Sequence, residues 1–164
     1  MFKGVVNFGG YFLGVCLLFI FGLSIFKNLG FPLLNNEEAK TAIFAQRILC
    51  FGYPKLSDGQ NSLYIWEDAL LSQKNTIFLP TFPWLKYYFA LLGEIPAFFL
   101  NDLFFKTALV RLPFAIAGVL GIFIFLKTLL RFLNNRTVKL WFFNLFLLFV
   151  ITSPNIVLTL REAS

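Results

Sequence analysis

Long apolar runs alternate with one extended mixed segment along this chain. The first run, Val5 to Phe26, is 22 residues long, with Asn7 and Ser24 as its clearly polar side chains. At about 1.5 Å per residue it covers the ~30 Å of a bilayer's hydrocarbon core. Lys3 precedes it and Lys27 follows it. The rival reading is a cleaved signal peptide. The run is too long for that, and no A-x-A-like site follows it. The pattern predicts an uncleaved spanning helix. Gly10 and Gly14 form a G-x-x-x-G pair, read first as ordinary helix packing and second as a dimer face.

Residues 27–106 are mixed. They hold seven of the eight acidic residues and the turn signals Gly52, Pro54, Asp58-Gly59, Pro80 and Pro83. Asn36 is expected to cap a helix with Glu37 and Glu38 in its first turn. That helix should run to about Cys50 and stop before Gly52-Tyr53-Pro54. Lys40 and Arg47, seven apart, should form one basic strip on it, the pattern of a helix resting at a membrane surface. Thr81 to Leu100 is apolar but contains Pro83, Lys86, Glu94 and Pro96, so it either spans or lies in the interface. Trp84, Tyr87 and Tyr88 suit the headgroup level.

Leu112 to Leu130 is a second predicted span, with the single charge Lys127 near its end, where a long side chain can snorkel. Arg131 to Lys139 is a short basic loop. A last run over residues 138–157 is interrupted by Asn144 and Ser153-Pro154, and Arg161-Glu162-Ala163-Ser164 follow.

Composition turns these runs into a class. Hydrophobic residues make up 59% and charged residues 13%, about half the ~25% charged share of soluble domains. Twenty-four Phe residues are more apolar surface than a small soluble domain can hide. A soluble monomer, a disordered chain and a disulfide-rich secreted module are excluded. The expected fold is all-α, a polytopic integral membrane protein with about three transmembrane helices and juxtamembrane interfacial helices in a large first external loop. The chain has no His, and Cys16 and Cys50 match no metal or redox spacing. The acidic residues form no recognisable metal motif. The net charge of +6 comes without a dense basic tract, so no nucleic acid partner is expected.

Charge sets the topology instead. Lys127, Arg131, Arg136 and Lys139 cluster around one acid-free loop, which the positive-inside rule assigns to the cytoplasm. Lys3 argues for a cytoplasmic N-terminus. Both hold only if two spans separate them, so Thr81–Leu100 is read as interfacial or re-entrant, and residues 27–106 are external. The sequon-like Asn135-Arg136-Thr137 then faces inward and is read as chance.

The order of segments resembles the N-terminal part of the polyprenyl-phosphate-dependent sugar transferases of the GT-C superfamily, the protein O-mannosyltransferases and the bacterial lipid A aminoarabinose transferase above all. Five patches carry the resemblance. Gly30-Phe31-Pro32-Leu33-Leu34-Asn35-Asn36-Glu37-Glu38-Ala39 stands where the family reads W-x-D-E-A. Ala45-Gln46-Arg47-Ile48-Leu49 leads into Gly52-Tyr53-Pro54. Phe82-Pro83-Trp84-Leu85-Lys86-Tyr87-Tyr88 is similar to a P-P-L-Y-Y stretch. Arg111-Leu112-Pro113 matches an R-L-P that opens a span. Ser153-Pro154 with Arg161-Glu162-Ala163 resembles S-P…S-R-E-A-R. Glu37 replaces the usual Asp, Phe82 replaces the first Pro of its pair, and the sequence stops at Ser164 where the family often has a second Arg. Family members have many more spans, so the resemblance implies an N-terminal piece of a larger transferase (residues 1–164) in a plasma (inner) membrane.

That resemblance implies transfer of a hexosyl or pentosyl group from a polyprenyl-phosphate donor to a lipid, glycan or protein acceptor on the outer face, with inversion. Glu37 would be the base and Glu38 its orienting neighbour. The plain alternative is that both stabilise a helix N-terminus through its dipole. Arg111 and Arg161 would face the donor phosphate, with Lys40, Arg47 and Lys86 as further phosphate or acceptor contacts. The alternative for all five is anchoring to lipid headgroups. No cofactor is implied, and a divalent metal is left open. Two rival functions stand beside the transferase: a non-catalytic membrane protein that packs against partner helices, and a transporter element, which the shortage of intramembrane ionisable residues disfavours.

Overall fold

The computed structural model of the chain describes residues 2–55 and 85–161, with side chains in 8–55 and 85–160. The expectations for Asp58-Gly59, Pro80 and Thr81–Trp84 lie outside the described residues. Among the described residues the structure is all-helical: α1 (Phe2–Phe26), α2 (Asn36–Phe51), α3 (Leu85–Ala97), α4 (Leu103–Arg131), α5 (Arg136–Thr152) and α6 (Pro154–Arg161). Two segments, Phe8–Phe26 and Leu103–Arg131, are long and apolar enough to cross a membrane. Counting α5 and α6 as one bent segment raises this to three. The chain divides into two compact units, residues 1–29 with 115–162, and residues 30–114.

In the first unit α1 is apolar all round, yet it buries one stripe: Gly10, Gly14, Leu17, Phe21 and Ile25, a spacing of three and four that is one helical face. Phe8, Phe12, Val15 and Phe19 stay exposed, the distribution expected where lipid covers the remaining surface. The two glycines let α5 approach closely. A Cβ on Gly10 would stand 2.6 Å from Leu140, and one on Gly14 would stand 2.9 Å from Asn144 Oδ1. Asn144 is buried, and its Nδ2 donates to the Gly10 carbonyl at 3.0 Å. The pair Gly10 and Gly14 therefore serves packing within the chain, the first of the two readings above.

The expected third span is broken. Pro154 has no N–H for the Val150 carbonyl, and the Ser153 N–H takes that acceptor instead at 3.2 Å. Ser153 is extended (φ −96°, ψ 93°), as the residue before a proline prefers. Its own carbonyl then starts α6 by accepting from Ile156 and Val157. The result is an 82° bend between α5 and α6. α5 alone is 17 residues, about 25 Å long, short of the ~30 Å required.

In the second unit α2 packs on α3, and Arg111 of α4 reaches its first turn. Asn35, not Asn36 as expected, is the cap, and Asn36 is the first helical residue. The helix ends as anticipated, one residue later at Phe51, where Gly52 takes the left-handed conformation (φ 80°) and donates to the Ile48 carbonyl. That conformation is strained for residues with a Cβ. α3 as described has 13 residues, about 20 Å.

α4 begins at Leu103, not at the Arg111-Leu112-Pro113 step expected to open the span. Pro113 sits inside it and leaves the Leu109 carbonyl without its helical N–H partner. Gly93 of α3 lies directly against that carbonyl, with no room there for a Cβ. The same close approach recurs where Gly30 passes the Phe104 carbonyl.

Candidate functional site

The candidate site is the N-terminus of α2, where the chain turns from Pro32 into the helix. Asn35 is in the extended region, and its Oδ1 accepts from the Glu38 N–H at 2.8 Å. Glu38 returns the bond: its Oε2 accepts from the Asn35 N–H at 3.1 Å. This reciprocal box satisfies two of the amides that every helix N-terminus leaves unpaired.

The Glu38 side chain is completely buried and meets a second partner there. Arg111 Nε donates to Glu38 Oε1 at 2.9 Å, and Arg111 Nη2 donates to Glu38 Oε2 at 2.7 Å. Arg111 Nη1 donates to the Pro32 carbonyl at 2.7 Å. One guanidinium thus ties α4 to the turn before α2 and to the cap of α2 itself. The fork geometry suits Arg, which matches a carboxylate with two parallel bonds. Arg111 is buried and is the ninth residue of its helix.

Glu37, one residue earlier, faces the other way. Its side chain is 60% exposed, and Lys40 Nζ donates to its Oε1 at 2.6 Å. That hydrogen bond holds the Glu37 carboxyl below its ordinary value. Slight burial opposes the shift, and the charges of Lys40 and Lys86 reinforce it. On α3, next to Lys86, Tyr87 is buried with its ring centroid 4.9 Å from that of Phe44. Burial pushes the Tyr87 hydroxyl up, and the negative charge of Glu37 adds to the effect. Tyr87 is therefore a packing residue between α2 and α3. Lys40 pairs with the ionised Glu37 carboxylate, and the positive charge of Lys86 also acts on it.

The remaining predicted residues separate. Arg47 is buried, and its Nη1 donates to the Lys55 carbonyl at 2.8 Å. It folds the chain after Gly52 back onto α2, so the basic strip of Lys40 and Arg47 does not exist: Lys40 is half-exposed and Arg47 is interior. Arg161 is the last helical residue of α6, and its side chain lies outside the described residues.

The sequence reading missed the pairing of Glu38 with Arg111, which are 73 positions apart. A usable signal existed. A guanidinium within an apolar helix needs a partner, and few acids are present to provide one. Among the described residues no three metal-ligating side chains gather. No protein-family model, no curated protein and no solved structure matches this chain.

Proposed function

We propose that the protein is a membrane glycosyltransferase module that moves a sugar from a polyprenyl phosphate to an acceptor hydroxyl, with Glu37 as the base. The observation that carries this reading is the ion pair of Lys40 with the exposed carboxylate of Glu37, on which the charge of Lys86 also acts. The departing group of such a reaction is a phosphate, which needs cations and little acid. The acceptor hydroxyl needs a carboxylate within reach to take its proton as it attacks the anomeric carbon. A single carboxylate acting as base, with attack from the face opposite the phosphate, inverts that centre. Glu38 and Arg111 act beneath the site: their ion pair pins the first turn of α2, and Glu37 is presented from it. The phosphate role belongs to Lys40 and Lys86, because Arg111 is engaged by Glu38 and Pro32. The sequence resemblance to the GT-C transferases points to the same base, Glu37.

In this reading α1 and the later part of α4 span a plasma (inner) membrane, with the N-terminus in the cytoplasm. α4 has 29 residues, more than the ~20 a span requires. A span over Leu112–Leu130 therefore leaves Leu103–Arg111 and the α2 site on the outer side. The exposed cations Lys127, Arg131 and Arg136 flank the turn assigned to the cytoplasm.

The test is sugar transfer by the protein in reconstituted membranes, using a polyprenyl-phosphate sugar and a hydroxyl acceptor. Glu37→Gln should lower turnover by about 10²–10⁴, the usual share of a general base. Lys40→Ala and Lys86→Ala should raise the KM for the donor. Glu37→Asp should retain activity. Unchanged turnover in Glu37→Gln rules Glu37 out as the base. It would favour a non-catalytic membrane protein, the reading supported by the self-satisfied, purely structural use of Glu38 and Arg111.

A further inference from the structure

The first unit carries cations without carboxylates. Among its described side chains, residues 8–29 with 115–160, none is acidic. Four of its cations stand on either side of one turn, residues 132–135, between α4 and α5. Lys127 and Arg131 are four apart at the end of α4, and Arg136 and Lys139 are three apart at the start of α5, so each pair shares a helical face. Lys127, Arg131 and Arg136 are exposed, and Lys139 is half-buried. Helix formation gives no reason for this arrangement. Like charges one turn apart repel, and cations in the first turn of α5 oppose its dipole. A bound anion would offset both effects.

Contacts with α1 show what else stands there. Arg136 Nε donates to the Tyr11 hydroxyl at 3.1 Å. A Cβ on Gly10 would meet Leu140, and one on Gly14 would meet Asn144. These pairs ascend together, so α1 and α5 run parallel, and the early part of α1 lies at the end of the unit that holds the cations. The Tyr11 bond engages Nε and leaves Nη1 and Nη2 of Arg136 without a partner among the described residues. Those two nitrogens can donate to two oxygens of one phosphate, and Lys139 supplies a second charge one turn away. On α1 the residues flanking Tyr11 are apolar and open: Phe8 and Phe12 are both exposed. Tyr11 and Trp141, partly exposed, have the amphipathic rings that settle where headgroups meet acyl chains. Cations bordering an apolar surface are complementary to one molecule with an anionic head and a hydrocarbon tail, which a soluble phosphate is not.

We propose that Arg136 and Lys139 bind the headgroup of an anionic phospholipid, with Tyr11 holding the Arg136 guanidinium in place and the acyl chains lying along Phe8 and Phe12. The lipid takes the place of the carboxylates that this end of the unit lacks. Tyr11 is a positioning residue and does not itself carry the charge recognition. The inference rests on the membrane placement of α1 and α4 and is independent of the transferase reading.

The experiment uses the full chain in phosphatidylcholine nanodiscs. Two probes are compared at equal mole fraction, phosphatidylglycerol and phosphatidylcholine, each bearing a photoactivated diazirine in the upper acyl chain, with adducts mapped by mass spectrometry. The quantity read is the ratio of phosphatidylglycerol to phosphatidylcholine adducts at Phe8 and Phe12. It should exceed, by at least about fivefold, the ratio at Phe19 and Ile20, exposed residues further along α1. Arg136→Gln and Lys139→Gln should each lower that excess roughly fivefold, the effect of one cation at a lipid surface. Tyr11→Phe should lower it less, and Lys27→Gln, at the other end of α1, should leave it unchanged. Unaltered phosphatidylcholine adducts verify that each variant is folded and inserted. Inorganic phosphate, added at matched ionic strength, should not change the ratio. Equal ratios at the two places would overturn the proposal, as would an excess indifferent to both Arg136→Gln and Lys139→Gln. An excess that falls as much in Lys27→Gln would replace the site by diffuse attraction, and one abolished by inorganic phosphate would assign the cations to a soluble anion; either result overturns the proposal.

Discussion

Replacing Arg111 by Met is the most informative perturbation of this molecule. It removes both bonds to the Glu38 carboxylate and the bond to the Pro32 carbonyl. The carboxylate stays at 0% exposure with the Asn35 N–H as the partner that remains in the helix cap. Removing one partner of a buried ion pair costs about 3–5 kcal/mol. For a chain of 150–250 residues each kcal/mol moves Tm by about 2–4 °C, so unfolding of the purified protein in detergent should begin about 6–20 °C lower. Glu38→Met alone leaves the guanidinium buried and should cost a similar amount, plus about 0.5–1.5 kcal/mol for the lost bond from the Asn35 N–H. The double variant Arg111→Met with Glu38→Met removes both charges together. Replacing a whole buried pair by apolar groups of similar volume is often neutral. It should therefore be more stable than either single variant. A double-mutant cycle in thermal or denaturant unfolding would measure this coupling. Additive single effects, or a cost below about 1 kcal/mol for Arg111→Met, would refute the argument that this pair pins the α2 N-terminus.

Other outcomes can be checked with the same preparations. Gly93→Ala should destabilise by about 1–3 kcal/mol, because its Cβ would strike the backbone carbonyl of Leu109. Gly22→Ala, with nothing within 4 Å of its Cβ, should be neutral or stabilising by up to about 1 kcal/mol; equal effects at the two sites would defeat the packing account. Burial pushes the Glu94 carboxyl above its ordinary value, with the charge of Lys106 opposing. The native state therefore holds that proton more tightly than the unfolded chain, and stability is lost as pH rises through the raised value. Glu94→Gln should accordingly be more stable than the parent at neutral pH and equal to it in acid, read from Tm against pH. In a cysteine-accessibility assay, Asn134→Cys should be labelled from the cytoplasmic side in sealed vesicles, and labelling from the outside would reverse the proposed orientation.

Local rules were enough for the elements whose causes lie within a few residues. The apolar run ending at Phe26 becomes a helix because 20 or so consecutive apolar residues favour nothing else in lipid. The end of α2 follows from Gly52 alone, since the left-handed closing residue needs no Cβ. The α2 start was legible to within one residue, and the choice between Asn35 and Asn36 was decided by which of them has an acid three positions on: Glu38 completes the box with Asn35. The pairing of Lys40 with Glu37 is likewise local, an i,i+3 contact on one face.

What tertiary structure decided are the matters that depend on distant groups. Helical spacing puts Lys40 and Arg47 on one side of α2, yet the Lys55 carbonyl draws Arg47 inward and leaves Lys40 outside. Adjacent carboxylates look equivalent in sequence, and the side chain of Arg111, brought in by α4, makes one a buried structural anchor and leaves the other exposed. Pro113 reads as a helix opening, yet α4 starts at Leu103 and runs through it, and the missing Cβ of Gly93 on another helix leaves space for the Leu109 carbonyl. A charge or a carbonyl buried in an apolar setting must be satisfied by some partner, and sequence spacing does not say which residue, tens of positions away, the fold will bring to it.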